Sequence, residues 1–90
     1  MILVKLPVAL RRHAGGVSQL ELPGDTVAEC LRELERRFPA VSGELRDGSG
    51  RLLPSVGLYV NGEEVRYRSA LETPLRVGDE LTILLPIAGG

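Results

Sequence analysis

Aromatic side chains are scarce: Phe38, Tyr59 and Tyr67 are the only ones, 3% of 90 residues. Proteins that hold single-stranded nucleic acid stack bases on aromatic rings, so that class is disfavoured. Charge argues the same way. Eleven Lys+Arg against 12 Asp+Glu leave a net charge of −1, without the basic excess that nucleic acid or an anionic membrane attracts. Lysine is nearly missing, because Lys5 is the only one and ten of the 11 cations are arginine. This bias is compatible with a GC-rich or heat-adapted source, although it is a weak thermophile signal. A single cysteine, Cys30, excludes an internal disulfide framework and fits a reducing cytoplasm. No apolar run is long enough to span a bilayer, and Met1 leads straight into a strand pattern rather than a signal peptide. One small cytoplasmic domain is expected.

Internal chemistry is also sparse. His13 is the only histidine and has no cysteine near it in sequence; a lone loop histidine is expected to be solvated. Cys30 lies between Val27 and Leu31 and reads as a small core residue, whereas a reactive thiol would need an exposed, electropositive setting. No spacing resembles a metal site, and Gly15-Gly16 lacks the strand and helix context of a nucleotide loop. The domain is therefore expected not to be an enzyme by itself, to bind no cofactor of its own, and to act with another protein.

What is present reads as a small sheet with one helix. Ile2, Val4 and Leu6 alternate along a first strand. Residues 11–16 form a loop, and Val17, Leu20 and Leu22 belong to a second strand paired antiparallel with the first. Thr26-Val27-Ala28-Glu29 has the spacing of a capping box. Val27, Leu31, Leu34 and Phe38 then make one apolar stripe of a helix that Pro39 ends at about Arg37 or Phe38. Glu33 and Arg37 stand four apart in the favourable order. Val41, Leu45, Leu52 and Leu53 plug a core edge around the turn Asp47-Gly48-Ser49-Gly50. Val56, Leu58 and Val60 form a third strand, Asn61-Gly62 a type I′ turn, and residues 63–67 a short fourth strand. Leu71 and Leu75 flank Pro74 in a compact connection with about one helical turn. Val77-Gly78-Asp79 turns into the strongly apolar last strand, 80–85.

One helix can cover one face of a four- or five-stranded sheet, so the fold class is a two-layer α+β domain. With the last strand parallel beside the first, the two most apolar strands lie at the centre. The chain would then leave the sheet beside Arg11, Arg12 and the rest of the 11–16 loop. Leu81, Ile83 and Leu85 are expected to face the helix and Leu84 to face out, with Leu3 and Tyr59 joining it as a docking surface.

After that strand come Pro86-Ile87-Ala88-Gly89-Gly90. A terminus is often merely frayed. Here the two glycines suit a different use, in which the Gly90 carboxylate is the functional group and no side chain blocks approach to it.

The ββαβββ order ending in Leu84-Leu85-Pro86-Ile87-Ala88-Gly89-Gly90 resembles the ubiquitin-like (β-grasp) sulfur carriers over essentially the whole chain. Gly24-Asp25-Thr26, Tyr59-Val60-Asn61 and Val77-Gly78-Asp79-Glu80-Leu81 share in the likeness. Among these carriers, residues 10–16, 58–67 and 81–84 are most similar to those of the cysteine-synthesis carrier. Leu85-Pro86 departs from the two prolines more usual before the diglycine of molybdopterin synthase small subunits.

The resemblance implies a β-grasp domain over residues 1–85 and a flexible tail over 86–90. It implies that an adenylating, ubiquitin-activating-like enzyme uses ATP and magnesium to turn the Gly90 carboxylate into an acyl-adenylate. A sulfur donor or sulfurtransferase then leaves a thiocarboxylate, with Gly89 as spacer. The acceptor would be an enzyme such as a cysteine synthase or the molybdopterin synthase large subunit, reached by threading Pro86, Ile87 and Ala88 into its site. Five extended residues reach about 16–18 Å. A ubiquitin-like modifier and a plain interaction domain are the alternatives.

Overall fold

The computed structural model describes residues 1–65 and 68–86. Five strands form a single mixed sheet: β1 (Ile2–Lys5), β2 (Gln19–Leu22), β3 (Gly57–Val60), β4 (Glu63–Val65) and β5 (Glu80–Leu84). Their order is β2-β1-β5-β3-β4. The first and last strands are parallel neighbours, with Val4 opposite Leu81 and Lys5 opposite Thr82. β5 also pairs antiparallel with β3, from Gly57 opposite Leu84 to Val60 opposite Leu81. It is therefore the central strand, hydrogen-bonded on both sides.

The alternation along β1 and β5 decides which face is buried. Ile2, Val4, Leu81 and Ile83 are within 2% of full burial and meet Val27, Leu31 and Leu34 of helix α2 (Val27–Arg37). Phe38 and Leu85 pack at the margin of this core. Threonine 26 caps α2 by accepting from Glu29 N. Glu29 reaches back to Asp25 N at 3.1 Å instead of to the N-cap residue itself. Phe38 leaves helical geometry at φ −132°, ψ 80°, just before Pro39, as the crowding of a following proline demands. Arg37 meets Glu33 at 3.0 Å.

Gly24 makes the turn into α2 possible. A Cβ there would lie 2.8 Å from Cys30 N and 3.1 Å from Cys30 Cα. The chain thus crosses against the helix backbone, an approach only glycine permits.

Several stretches differ from the sequence reading. A helical turn, α1 (Val8–Arg11), leads into the segment expected to be loop and buries Leu10, and Ala14 just beyond it is buried as well; a single turn is too short to show periodicity. Val17 lies outside β2 and is exposed. A 3₁₀ turn (Pro39–Val41) and a further turn, α3 (Ser42–Leu45), carry Val41 and Leu45 into the core. Asn61 and Gly62 both have positive φ, 50° and 84°, as a type I′ hairpin turn requires. The 3₁₀ turn Arg68–Glu72 supplies the expected connection. The extension of the fourth strand through Arg66 and Tyr67 lies outside the described residues. Among the described residues, no helix is long and apolar enough to cross a membrane.

Candidate functional site

The site begins where β5 ends. Leu84, 46% exposed, points away from the core between buried Ile83 and half-buried Leu85. Across β3 it faces Gly57. A Cβ on Gly57 would lie 3.4 Å from both Leu84 Cβ and Tyr59 Cε1. The Tyr59 ring therefore leans along its own strand over the glycine, toward Leu84. Together they form an apolar plate on the uncovered sheet face, next to exposed Pro86 in sequence.

Leu3 shares this face but not this plate. It stands opposite Glu80, four residues back along β5 from Leu84, a separation of about 13 Å at the usual strand rise. Between them lie Thr82 and the ion pair of Lys5 Nζ with Glu80 Oε1 at 2.9 Å. The expected grouping of Leu3 with Tyr59 and Leu84 is thus divided, because residue spacing across parallel strands depends on register, which the sequence leaves open.

On the β1 side, pairing ends at Lys5 opposite Thr82, and the chain turns through Pro7 into α1. Arg11 is half-buried and its Nε donates to Leu6 O at 3.2 Å. Arg12 is exposed, 3.8 Å from Glu44 of α3. His13 corrects the expectation of a solvated loop side chain. It is half-buried, with Nε2 buried, without a hydrogen-bond partner and 3.5 Å from Glu44 Oε1. The α1 turn draws the following residues onto α3, which loop reading could not foresee. Positive φ at Gly15 and Gly16 completes the return to β2.

At the other end, Asn61 ties the β3–β4 turn to the start of β5. Its amide donates to Asp79 Oδ1 at 3.0 Å, its Oδ1 accepts from Glu80 N at 2.9 Å, and its own N donates to Glu80 O. The Arg76 N–H and then the Asn61 amide hold the Asp79 carboxyl below its ordinary value. The central strand is thus fixed in register at its beginning as well as along its sides.

Cys30 is fully buried, and that burial pushes its thiol up to about 11. Among the described residues, no group of three or more His, Cys, Asp or Glu is placed to hold a metal ion. Ile87, Ala88, Gly89 and Gly90 lie outside the described residues.

A mixed five-stranded sheet with parallel first and last strands, grasping one long helix, defines a ubiquitin-like β-grasp domain. A chain of the Amycolatopsis orientalis BexX/CysO complex matches it with TM-score 0.86 and 37% identity, covering 100% of both chains. SAMP1 from Haloferax volcanii matches with TM-score 0.80 and 30% identity, covering 99% of this chain and 98% of that one. In sequence, the sulfur carrier protein CysO of Mycobacterium tuberculosis is 38% identical over 91 residues, covering 99% of this chain and 98% of its own. The ThiS family matches residues 4–90. The chain belongs to the ThiS family of ubiquitin-like sulfur carriers.

Proposed function

We propose that this protein carries sulfur as a thiocarboxylate on Gly90 and acts as a cosubstrate rather than a catalyst. The observation that carries the reading is the central position of β5, held on both sides, with the tail continuing directly from it. A carboxylate near its ordinary pKa of about 3.5 is ionised at neutral pH and a poor acyl donor. Adenylation by an ATP- and magnesium-using enzyme makes AMP the leaving group. Sulfur from a donor or sulfurtransferase then attacks the carbonyl carbon, the C–O bond to AMP breaks, and the thiocarboxylate remains. Residues 86–90 act as the reach, with Gly89 leaving the carbonyl unobstructed and Pro86 ending the strand because it cannot donate a ladder bond. The Leu84–Tyr59 plate receives the partner enzyme, with Arg11 and Arg12, which follow the parallel strand β1, as further contacts, while the tail enters its site.

Cysteine formation is the favoured destination, supported by the likeness to CysO and by the Leu85-Pro86 sequence at the strand end. The molybdenum-cofactor route is the alternative acceptor. Incubation with an activating enzyme, ATP, magnesium and a sulfide source, followed by intact mass measurement, tests the reading. A gain equal to sulfur minus oxygen at the C-terminus is expected; its absence with partners active on another carrier would overturn it.

A second reading, a protein modifier, is favoured by the likeness to a small archaeal modifier protein. Gly90 in isopeptide linkage in digests of cell protein would support that reading.

A further inference from the structure

Asparagine occurs once in this chain, at position 61, and glycine follows it. Asparagine is among the chemically labile residues, most of all before glycine, where no side chain obstructs attack by the next backbone nitrogen on the side-chain amide. Both residues are exposed, and a Cβ on Gly62 would meet nothing within 4 Å. Burial therefore gives the pair no shelter from water or hydroxide.

What restrains the amide is a pair of hydrogen bonds to the start of β5. Its Nδ2 donates to Asp79 Oδ1 at 3.0 Å, and its Oδ1 accepts from Glu80 N at 2.9 Å. Both polar atoms of the group are thus engaged, by residues 18 and 19 positions further along the chain. The partners are fixed in their turn. Asp79 Oδ2 accepts from Arg76 N at 2.8 Å, and Glu80 O accepts from Asn61 N at 2.9 Å. Ring closure asks the amide plane to rotate toward Gly62 N, and that rotation breaks both side-chain bonds.

We propose that Asn61-Gly62 is a site of spontaneous deamidation held in check by Asp79 and Glu80, and that its conversion releases the β3–β4 turn from the start of β5. In the reaction Gly62 N loses its proton to hydroxide and forms a bond to Asn61 Cγ. The bond from Cγ to Nδ2 breaks, and ammonia leaves with the returned proton. Water then opens the cyclic imide at either carbonyl, giving aspartate or isoaspartate. The product carries a carboxylate where the amide had donated to Asp79, so a donor–acceptor contact becomes one between like charges. Isoaspartate also adds a backbone carbon to a turn whose geometry depends on two residues of positive φ.

Wild type, Asp79→Ala and Gly24→Ala are aged side by side in mildly alkaline buffer at a temperature where each is folded, with wild type also in urea above its midpoint. Intact mass reads the exchange of NH for O, and digestion places it at position 61. Folded wild type is expected to react far more slowly than the unfolded chain. Asp79→Ala should react about tenfold faster than folded wild type, because the closed turn has lost a hydrogen bond to a charged group. Gly24→Ala, weakened far from this turn, should match wild type. Equal rates for folded and unfolded wild type, or for Asp79→Ala and wild type, would overturn the restraint, as would equal acceleration by Gly24→Ala. For the consequence, Asn61→Asp should melt lower than wild type. Combining it with Asp79→Asn exchanges donor and acceptor and should recover most of the loss. An Asn61→Asp protein as stable as wild type, or no recovery in the double variant, would overturn the release.

Discussion

Leu84 and Ile83 are adjacent on β5 and lie in different environments: Ile83 is fully buried against the helix layer, while Leu84 is 46% exposed on the opposite face beside Gly57. The pleat therefore sets a core residue and the residue proposed for docking side by side on opposite faces.

Ile83→Ala removes buried methyl groups with no room for repacking and is expected to cost about 2–5 kcal/mol. Leu84→Ala should change stability by only about 0.5 kcal/mol, yet slow sulfur loading by the activating enzyme. Urea unfolding and loading rates of the two variants, measured side by side, check this; equal loading by Leu84→Ala and wild type would remove Leu84 from the docking surface.

Gly24 has no positive φ, so a substitution there acts by contact alone. With Cys30 N only 2.8 Å from the added carbon, Gly24→Ala must push the turn off α2, an overpacking penalty of about 1–3 kcal/mol. The fall should appear as a lower urea midpoint with an unchanged slope.

Glu35 accepts from Arg46 Nε and Nη2 at 2.6 and 2.9 Å and from the Ser42 hydroxyl at 2.7 Å. Burial pushes its carboxyl up, but the Arg46 and Ser42 hydrogen bonds outweigh it and hold the group below its ordinary 4.5. A carboxyl depressed by folding contributes stability that is complete above its unfolded value and lost as pH falls through the folded one. The protein should therefore lose stability below about pH 4.5, and Arg46→Ala should flatten that part of the profile while costing about 1–3 kcal/mol at neutral pH. Unfolding curves from pH 3 to 7 measure both effects.

The Cys30 thiol behaves in the opposite sense. Burial raises it from 9.0 to about 11, so the unfolded chain ionises first, and its contribution is whole below pH 9 and erodes between pH 9 and 11. A thiol reagent at pH 8 should label the native protein only as fast as it opens. Rapid labelling of folded protein would contradict this burial.

Deleting Gly90, or changing Gly89 to valine, should abolish sulfur loading without moving the melting temperature. A loss of fold in either variant would show that the tail has a structural role.

The sequence was most informative where one interaction dominates locally. Proline 39 removes the helix by sterics, Asn61-Gly62 accepts positive φ at two positions, and Thr26 with Glu29 satisfies free amides at a helix start. Each of these needs only near neighbours, and each is present in the structure. Leu10 and Ala14 were illegible because a single helical turn is too short to show a period, and Val17 because its alternation fitted a strand that stops short of it. The box itself closed on Asp25 N instead of Thr26 N, a difference of side-chain reach that spacing does not encode.

By itself, then, the sequence determined the element order, the apolar faces and the two glycines that follow the last strand, since period, turn chemistry and burial demand are properties of short segments. Only the tertiary structure decided which residues meet. Register across β1, β5 and β3 placed Tyr59 over Gly57 beside Leu84, set Leu3 apart, drew Lys5 to Glu80, and brought His13 against Glu44. These are contacts between strands and turns distant in the chain, fixed by hydrogen-bond register and core packing acting together.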